Sequence, residues 1–124
     1  MKFLCLGYFD NAKMDALPQA EINALMARCG AVVEELYAGE RVLMDAGIAT
    51  DMVSVRRTRG RIQTTDGPFT EAKELVGGVF LIEAQDMAEA TRIASMHPAV
   101  AMPEAENLGW RLEIRPVHSF YVPE

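Results

Sequence analysis

Two short segments, Phe3-Leu4-Cys5-Leu6-Gly7-Tyr8-Phe9 and Val79-Phe80-Leu81-Ile82, are apolar without a polar interruption. A strand with one solvated face alternates; a run that does not alternate reads as a strand buried on both faces. Any fold for this chain must therefore cover both sides of a sheet where these two strands lie. Between them, Ile22, Leu25, Met26, Cys29, Val33, Leu36 and Tyr37 recur at helical spacing, with Glu21, Arg28, Glu34 and Glu35 opposite. Pro18 suits the first turn of that helix and Gly39 its C-terminal cap. The spacing predicts a helix over Pro18–Ala38.

The remaining elements follow from local signals. Asp10-Asn11 marks a turn after the first strand. Arg41–Ile48 reads as a second strand. Met52–Arg59 and Arg61–Thr65 read as a hairpin turning at Arg59-Gly60. Gly77-Gly78 introduces the second apolar strand. Asp86 with Glu89 three residues on has capping-box spacing. It opens a helix through Met87, Ala90, Ile93 and Ala94 that Pro98 stops. Residues 98–109 read as a proline-containing loop, long enough for a lid over a site or a cover for a subunit seam. The last strand alternates, with Trp110, Leu112 and Ile114 on one side and Arg111, Glu113 and Arg115 on the other.

With the hairpin set aside, the order is βαββαβ. This is an α+β, ferredoxin-like unit with an inserted β-hairpin and two helices on one face of an antiparallel sheet. The 124 residues fit a single domain, 1–124, that can bury a core without metal or disulfides. Two helices cover only one sheet face, yet the two central strands are apolar on both. Large apolar patches are avoided on soluble monomers, so the uncovered face predicts a symmetric homodimer. Arg111, Glu113 and Arg115 then line the helix-free side. Apolar walls with a few convergent charges describe a small-molecule cleft.

The net charge of −6 argues against non-specific binding to nucleic acid or to an anionic membrane. Arg56, Arg57, Arg59 and Arg61 carry no interleaved aromatics, so they read as a charged edge that discourages aggregation. No apolar run approaches the ~20 residues of a membrane helix. Lys2 and the short apolar run after it lack the length of a secretion signal. Cys5 and Cys29 lie outside any CxxC or metal-type spacing and read as free thiols of a cytoplasmic protein. No cofactor motif is present. His97 and His118 show no HxH or HxxxH spacing, so no metal site is expected. His97, before Pro98, fits a helix-end cap or a surface position; His118 fits the tail or an interface.

The candidate chemistry gathers in Thr65-Asp66-Gly67-Pro68-Phe69-Thr70-Glu71-Ala72-Lys73-Glu74. Two accounts of Asp66 compete. In one, Asp-Gly-Pro only ends a strand. In the other, Asp66 is a general base whose pKa is raised by the apolar Phe69 beside it. Lys73 either pairs with Glu71 and Glu74 or neutralises an anionic ligand. Arg115 either pairs with Glu113 or Glu83 or offers its fork to a ligand carboxylate. Tyr8 is a further polar residue of the cleft.

Asp66-Gly67-Pro68-Phe69, then Glu71, Lys73-Glu74 and Gly77-Gly78, then Glu113-Ile114-Arg115-Pro116-Val117, resembles the YCII-related proteins in their DGPF branch. The resemblance covers nearly the whole chain. It implies a dimeric ferredoxin-like fold of the α/β-barrel type. Some members of the wider family are similar to a dehydrochlorinase of chlorinated hydroxyquinols that uses a His–Asp pair. The helix Pro18–Ala38 holds no histidine, so that pair is not carried over. Such proteins are often encoded or fused with extracytoplasmic-function sigma factors. The leading reading is a small-molecule enzyme of lyase or isomerase type, transferring a proton with Asp66 as base. Tyr8, Phe69, Lys73 and Arg115 would contact the ligand. The alternatives are a non-catalytic ligand-binding or regulatory dimer, and a motif that is purely architectural.

Overall fold

The computed structural model describes residues 1–67 and 72–124. Its elements are β1 (Lys2–Asp10), α1 (Asn11–Asp15), α2 (Gln19–Ala38), β2 (Val42–Gly47), β3 (Val53–Thr58), β4 (Arg61–Asp66), β5 (Glu74–Glu83), α3 (Met87–Ala94), α4 (Pro98–Ala101), α5 (Glu104–Leu108) and β6 (Arg111–Pro116). The main sheet runs β2-β5-β1-β6 and is antiparallel throughout. The α+β ferredoxin-like arrangement expected from the sequence is present, with helices on one face. The two apolar runs are the two central strands, which is why neither alternates.

Register decides which side chains reach the core. Phe3, Cys5, Phe80 and Ile82 pack with Leu36 of α2 and with Ala84, Ala90 and Ala94. Ala90 and Ala94 are fully buried, so α3 lies close on the sheet. Leu112 and Ile114 of β6 pack against the same cluster. Their neighbours Arg111, Glu113 and Arg115 stand opposite Tyr8, Leu6 and Leu4 on the helix-free face. Val79 and Leu81 continue that face on β5, opposite Leu6 and Leu4.

The ladder between β1 and β5 shifts at Gly7/Tyr8. Gly7 faces Gly78 and Tyr8 faces Val76, so Gly77 is the extra residue of a β-bulge on β5. A Cβ at Gly77 would lie 2.9 Å from Cδ1 of Phe9. Only glycine fits there without moving the Phe9 ring.

Three local readings are corrected. Asp10-Asn11 begins a short helix instead of a plain turn, because the buried Asp10 carboxylate accepts the Lys13 N–H at 3.1 Å. Pro18 stands just before α2 as its N-cap. Residues 98–109 are not a loop but α4 and α5, with Ala99, Met102 and Ala105 buried. Pro98 starts α4, and Gly109 closes α5 in a left-handed conformation at φ 71°.

The hairpin β3–β4 forms its own two-stranded sheet. Arg59 and Gly60 both have positive φ, 54° and 75°, as a tight two-residue hairpin turn requires. Val53, Val55 and Ile62 share one face of it and remain 60 to 67% exposed.

Gly77→Ala is expected to cost about 1–3 kcal/mol in urea unfolding, the range for overpacking. Gly47→Ala, whose Cβ would meet nothing within 4 Å, should stay within about 0.5 kcal/mol. Equal effects at the two positions would remove the packing account of the bulge.

Candidate functional site

A row of glycines crosses the sheet. Gly7 of β1 pairs with Gly78 of β5, and Gly78 pairs with Gly47 of β2. Three adjacent strands thus lack side chains at one level. Above this row, α2 carries Gly30, where an added Cβ would meet nothing within 4 Å. The space left between sheet and helix is a cavity of about 440 Å³ on the helix side. Met14, Met26, Val33, Ile48 and Trp110 give it apolar walls. Tyr37, Asp45, His97, Cys29 and Thr50 supply polar side chains to its lining, and among the described residues no Lys or Arg lines it.

The polar groups centre on Phe80. Asp45 is the register partner of Phe80 on β2, and paired residues share a face of the sheet. The His97 ring stacks flat on the Phe80 ring, with centroids 4.7 Å apart and planes 4° apart. Phe80 is fixed in the core at 1% exposure, so it sets the plane of His97 and anchors the strand beside Asp45.

Each group has a definite protonation state. The Tyr37 hydroxyl donates to Oδ2 of Asp45. That hydrogen bond, with burial and the Asp45 charge behind it, pushes the tyrosine up to about 12, so it remains a donor. Nδ1 of His97 accepts the backbone N–H of Ala99 at 3.0 Å. A neutral imidazole has one N–H, so the proton sits on Nε2. Burial holds His97 below its ordinary 6.5, although the Asp45 charge acts the other way. The Cys29 thiol donates to Sδ of Met102 at 3.6 Å, and burial pushes it up. It is a protonated wall residue and not a nucleophile at neutral pH. Burial likewise takes Cys5 to about 11.

The residues singled out in the sequence lie elsewhere, apart from Tyr8. Asp66 ends β4 on the separate hairpin sheet, opposite Val53, and is exposed outside the cavity lining. Phe69 lies outside the described residues. Tyr8 borders the cavity, but its hydroxyl donates to Oε1 of Glu113 at 3.0 Å on the helix-free face. Arg111 grips Glu74 with two bonds of 2.8 and 3.0 Å, reaches Glu113 at 3.1 Å, and lies 4.3 Å above the Tyr8 ring. Hydrogen bonds from Arg111, then from Tyr8, hold Glu113 below the usual carboxylate range. Lys73 is exposed with Nζ 4.0 Å from Oδ2 of Asp10, while Glu74 is taken by Arg111. Arg115 is exposed on the helix-free face. Its expected partners Glu113 and Glu83 are held by Arg111 and by the N-terminus and Lys2.

His97 does cap a helix, as a neutral acceptor at the start of α4 instead of a cation at a helix end. Tyr37 read as one more apolar-face residue of its helix, and Asp45 as a strand residue. A carboxylate within Val-Leu-Met-Asp-Ala-Gly was the available signal. The glycine row becomes visible only once the register is known. Among the described residues no group of three or more His, Cys, Asp or Glu is placed to hold a metal, and no helix is long and apolar enough to cross a membrane.

The buried, neutral His97 links stability to pH. The unfolded chain takes up this proton near 6.5 and the folded chain only at lower pH. Stability is therefore full above about 6.5 and falls as pH drops from there to the folded value. Urea unfolding across this window should show the loss, and His97→Gln should remove it. The paired carboxylates Glu74, Glu83, Glu89 and Glu104 titrate below 4.5 and act at lower pH. A wild-type stability that does not fall between pH 6.5 and 5 would contradict the depressed histidine.

Among solved structures, the chain is similar to the 5-chloro-2-hydroxyhydroquinone dehydrochlorinase of Burkholderia phenoliruptrix AC1100 in complex with 2,5-dihydroxybenzoquinone. The two share 18% identity with 96% of each chain covered, at a TM-score of 0.48. No curated protein matches. The YCII-related domain matches residues 1–116, and with nearly the whole chain inside that match, the protein belongs to the YCII-related family.

Proposed function

We propose that this YCII-related protein is a small-molecule enzyme that transfers a proton on a largely apolar substrate held in the helix-side cavity. The observation that carries the reading is the Tyr37–Asp45 pair at the edge of an apolar cavity of about 440 Å³. That volume lies within the roughly 300–1,000 Å³ of small-molecule sites. Tyr37 occupies Oδ2 of Asp45 and leaves Oδ1 to face substrate as a general base. We place the base at Asp45 instead of Asp66; the support is that Asp45 lines the cavity and Asp66 does not. Asp66-Gly67-Pro68-Phe69 remains the mark of the DGPF branch, to which we assign the chain.

We further infer a homodimer through the helix-free face. Leu4, Leu6 and Val79 adjoin there across β1 and β5, each only half-buried. The exposed stripe of Val53, Val55 and Ile62 on the hairpin is a second apolar surface for a partner copy to cover.

Solvent-deuterium exchange into a panel of ketones and hydroxyketones, read by proton NMR, tests the base. Wild type is expected to catalyse exchange next to the carbonyl of at least one member. Asp45→Asn should slow it by about 10²–10⁴-fold with an unchanged melting temperature. Exchange that survives Asp45→Asn overturns this assignment. Binding without exchange in the wild type favours the ligand-binding alternative.

Sedimentation should show a dimer at micromolar concentration and a monomer for Leu6→Lys. A wild-type monomer would refute the interface.

A further inference from the structure

We propose that His97 is the oxyanion-binding residue of this cavity, and that its substrates are neutral carbonyl compounds with an acidic C–H beside the carbonyl carbon. The inference rests on the reading of Asp45 as base and names the substrate class of that same site.

His97 carries a donor that has no acceptor among the described residues. Nδ1 of His97 is committed as an acceptor from the Ala99 N–H at 3.0 Å. That bond needs the Nδ1 lone pair, so the single proton of the ring is on Nε2. Nε2 is therefore a donor and has no lone pair with which to act as a base. Among the described residues nothing accepts from it. No buried side-chain nitrogen or oxygen among them lacks a partner, so this unpartnered Nε2 is open to space and not sealed in the core. The ring lines the cavity, and its stack on Phe80 fixes its plane before any ligand arrives. A donor held in place in advance is what stabilises charge that develops on an oxygen during reaction.

The charges around the cavity then select the ligand. Among the described residues Asp45 is the one carboxylate of the lining and no Lys or Arg lines it; Tyr37 and Cys29 are protonated donors. A phosphate or carboxylate would meet the Asp45 charge with no cation to offset it. A neutral carbonyl would not. Its oxygen takes the Nε2–H of His97, and its adjacent C–H meets Oδ1 of Asp45. In the step itself the proton leaves carbon for Oδ1. The C–H electron pair becomes the enolate C=C bond, and the C=O π pair moves onto the oxygen that His97 holds. Asp45 and His97 adjoin across one side chain, since Asp45 is the register partner of Phe80 and His97 stacks upon it.

Cyclohexane-1,3-dione, which is an enolate at neutral pH, is the probe. Its binding is measured by calorimetry, and the imidazole nitrogens are followed by ¹⁵N NMR. Two substitutions separate the roles of His97. His97→Asn keeps a side-chain oxygen to cap Ala99 but cannot reach the Nε2 position; His97→Gln keeps an N–H near that position and gives up the cap. The free protein is expected to show the Nε2–H tautomer, and the probe to shift that proton. Affinity should fall at least about 10-fold in His97→Asn, as for loss of a hydrogen bond to a charged group. It should stay within about threefold in His97→Gln. In the exchange assay His97→Asn should lower kcat more than it raises KM.

Three results overturn the proposal: an Nδ1–H tautomer, full affinity in a folded His97→Asn, or no binding of the dione to Asp45→Asn, in which the opposing charge is gone. If His97→Asn does not fold, the ¹⁵N shift in wild type and the affinity of His97→Gln decide. Asp45→Asn keeps the two readings apart. Removing the carboxylate should tighten enolate binding if Asp45 faces the ligand. If binding depends on His97 but is indifferent to Asp45, the donor stands and the base falls.

Discussion

The pairing of β1 with β5 is the contact on which the rest of the structure depends. These two strands sit at the centre of the sheet and run against each other from Lys2–Glu83 to Asp10–Glu74. Their helix-side residues Phe3, Cys5, Phe80 and Ile82 are the floor of the core on which Leu36 of α2 and Ala90 and Ala94 of α3 pack. Burying a phenylalanine or isoleucine side chain such as Phe3, Phe80 or Ile82 stabilises by roughly 1.5–3 kcal/mol. The edge strands β2 and β6 then need only one good face each, and they carry charged residues mid-strand, Asp45 on β2 and Glu113 on β6.

The same ladder makes room for a site. Glycine in a strand interior costs about 0.5–1 kcal/mol relative to alanine. Gly7, Gly47, Gly77 and Gly78 gather at one end of the sheet in spite of that. Gly77 has a steric reason, the Phe9 ring. Gly47 has none, since its Cβ would meet only open space. A glycine that packing does not require, set across a cavity from an equally unobstructed Gly30, is explained better by the cavity than by the fold.

The fold was legible in the sequence because its strongest signals were non-local in effect and local in pattern. Two unbroken apolar runs specified two central strands. Strict alternation from Trp110 to Arg115 specified an edge strand. Asp86 and Glu89 marked a helix start, and Asp86 caps Glu89 at 2.8 Å, while the Glu89 carboxylate turns to Gln85 and Arg41. The short helices α4 and α5 were hidden because each is about one turn long and held by tertiary burial of Ala99, Met102 and Ala105, which leaves no periodicity to read. The cavity residues were hidden for a different reason. Tyr37 satisfies the apolar stripe of α2 as well as any phenylalanine would, and only the partner across the gap shows that its hydroxyl matters. The conspicuous Asp66 drew attention because an Asp-Gly-Pro turn has a strong local signature; its side chain is exposed at the base of the hairpin.

The position of Phe80 ties the core to the candidate chemistry. One face of its ring carries His97 and its backbone pairs with the strand that carries Asp45, while the residue itself is almost fully buried. A functional pair held on loops would have to be ordered at each turnover, at an entropic cost for every side chain fixed. Here the order is already supplied by packing that the protein needs in order to fold. Asp45 stands exposed on an edge strand, and His97 lies deeper, where burial keeps it neutral. In the proposed chemistry an exposed acceptor of protons and a neutral donor of a hydrogen bond thus arise from one gradient of burial across a single phenylalanine.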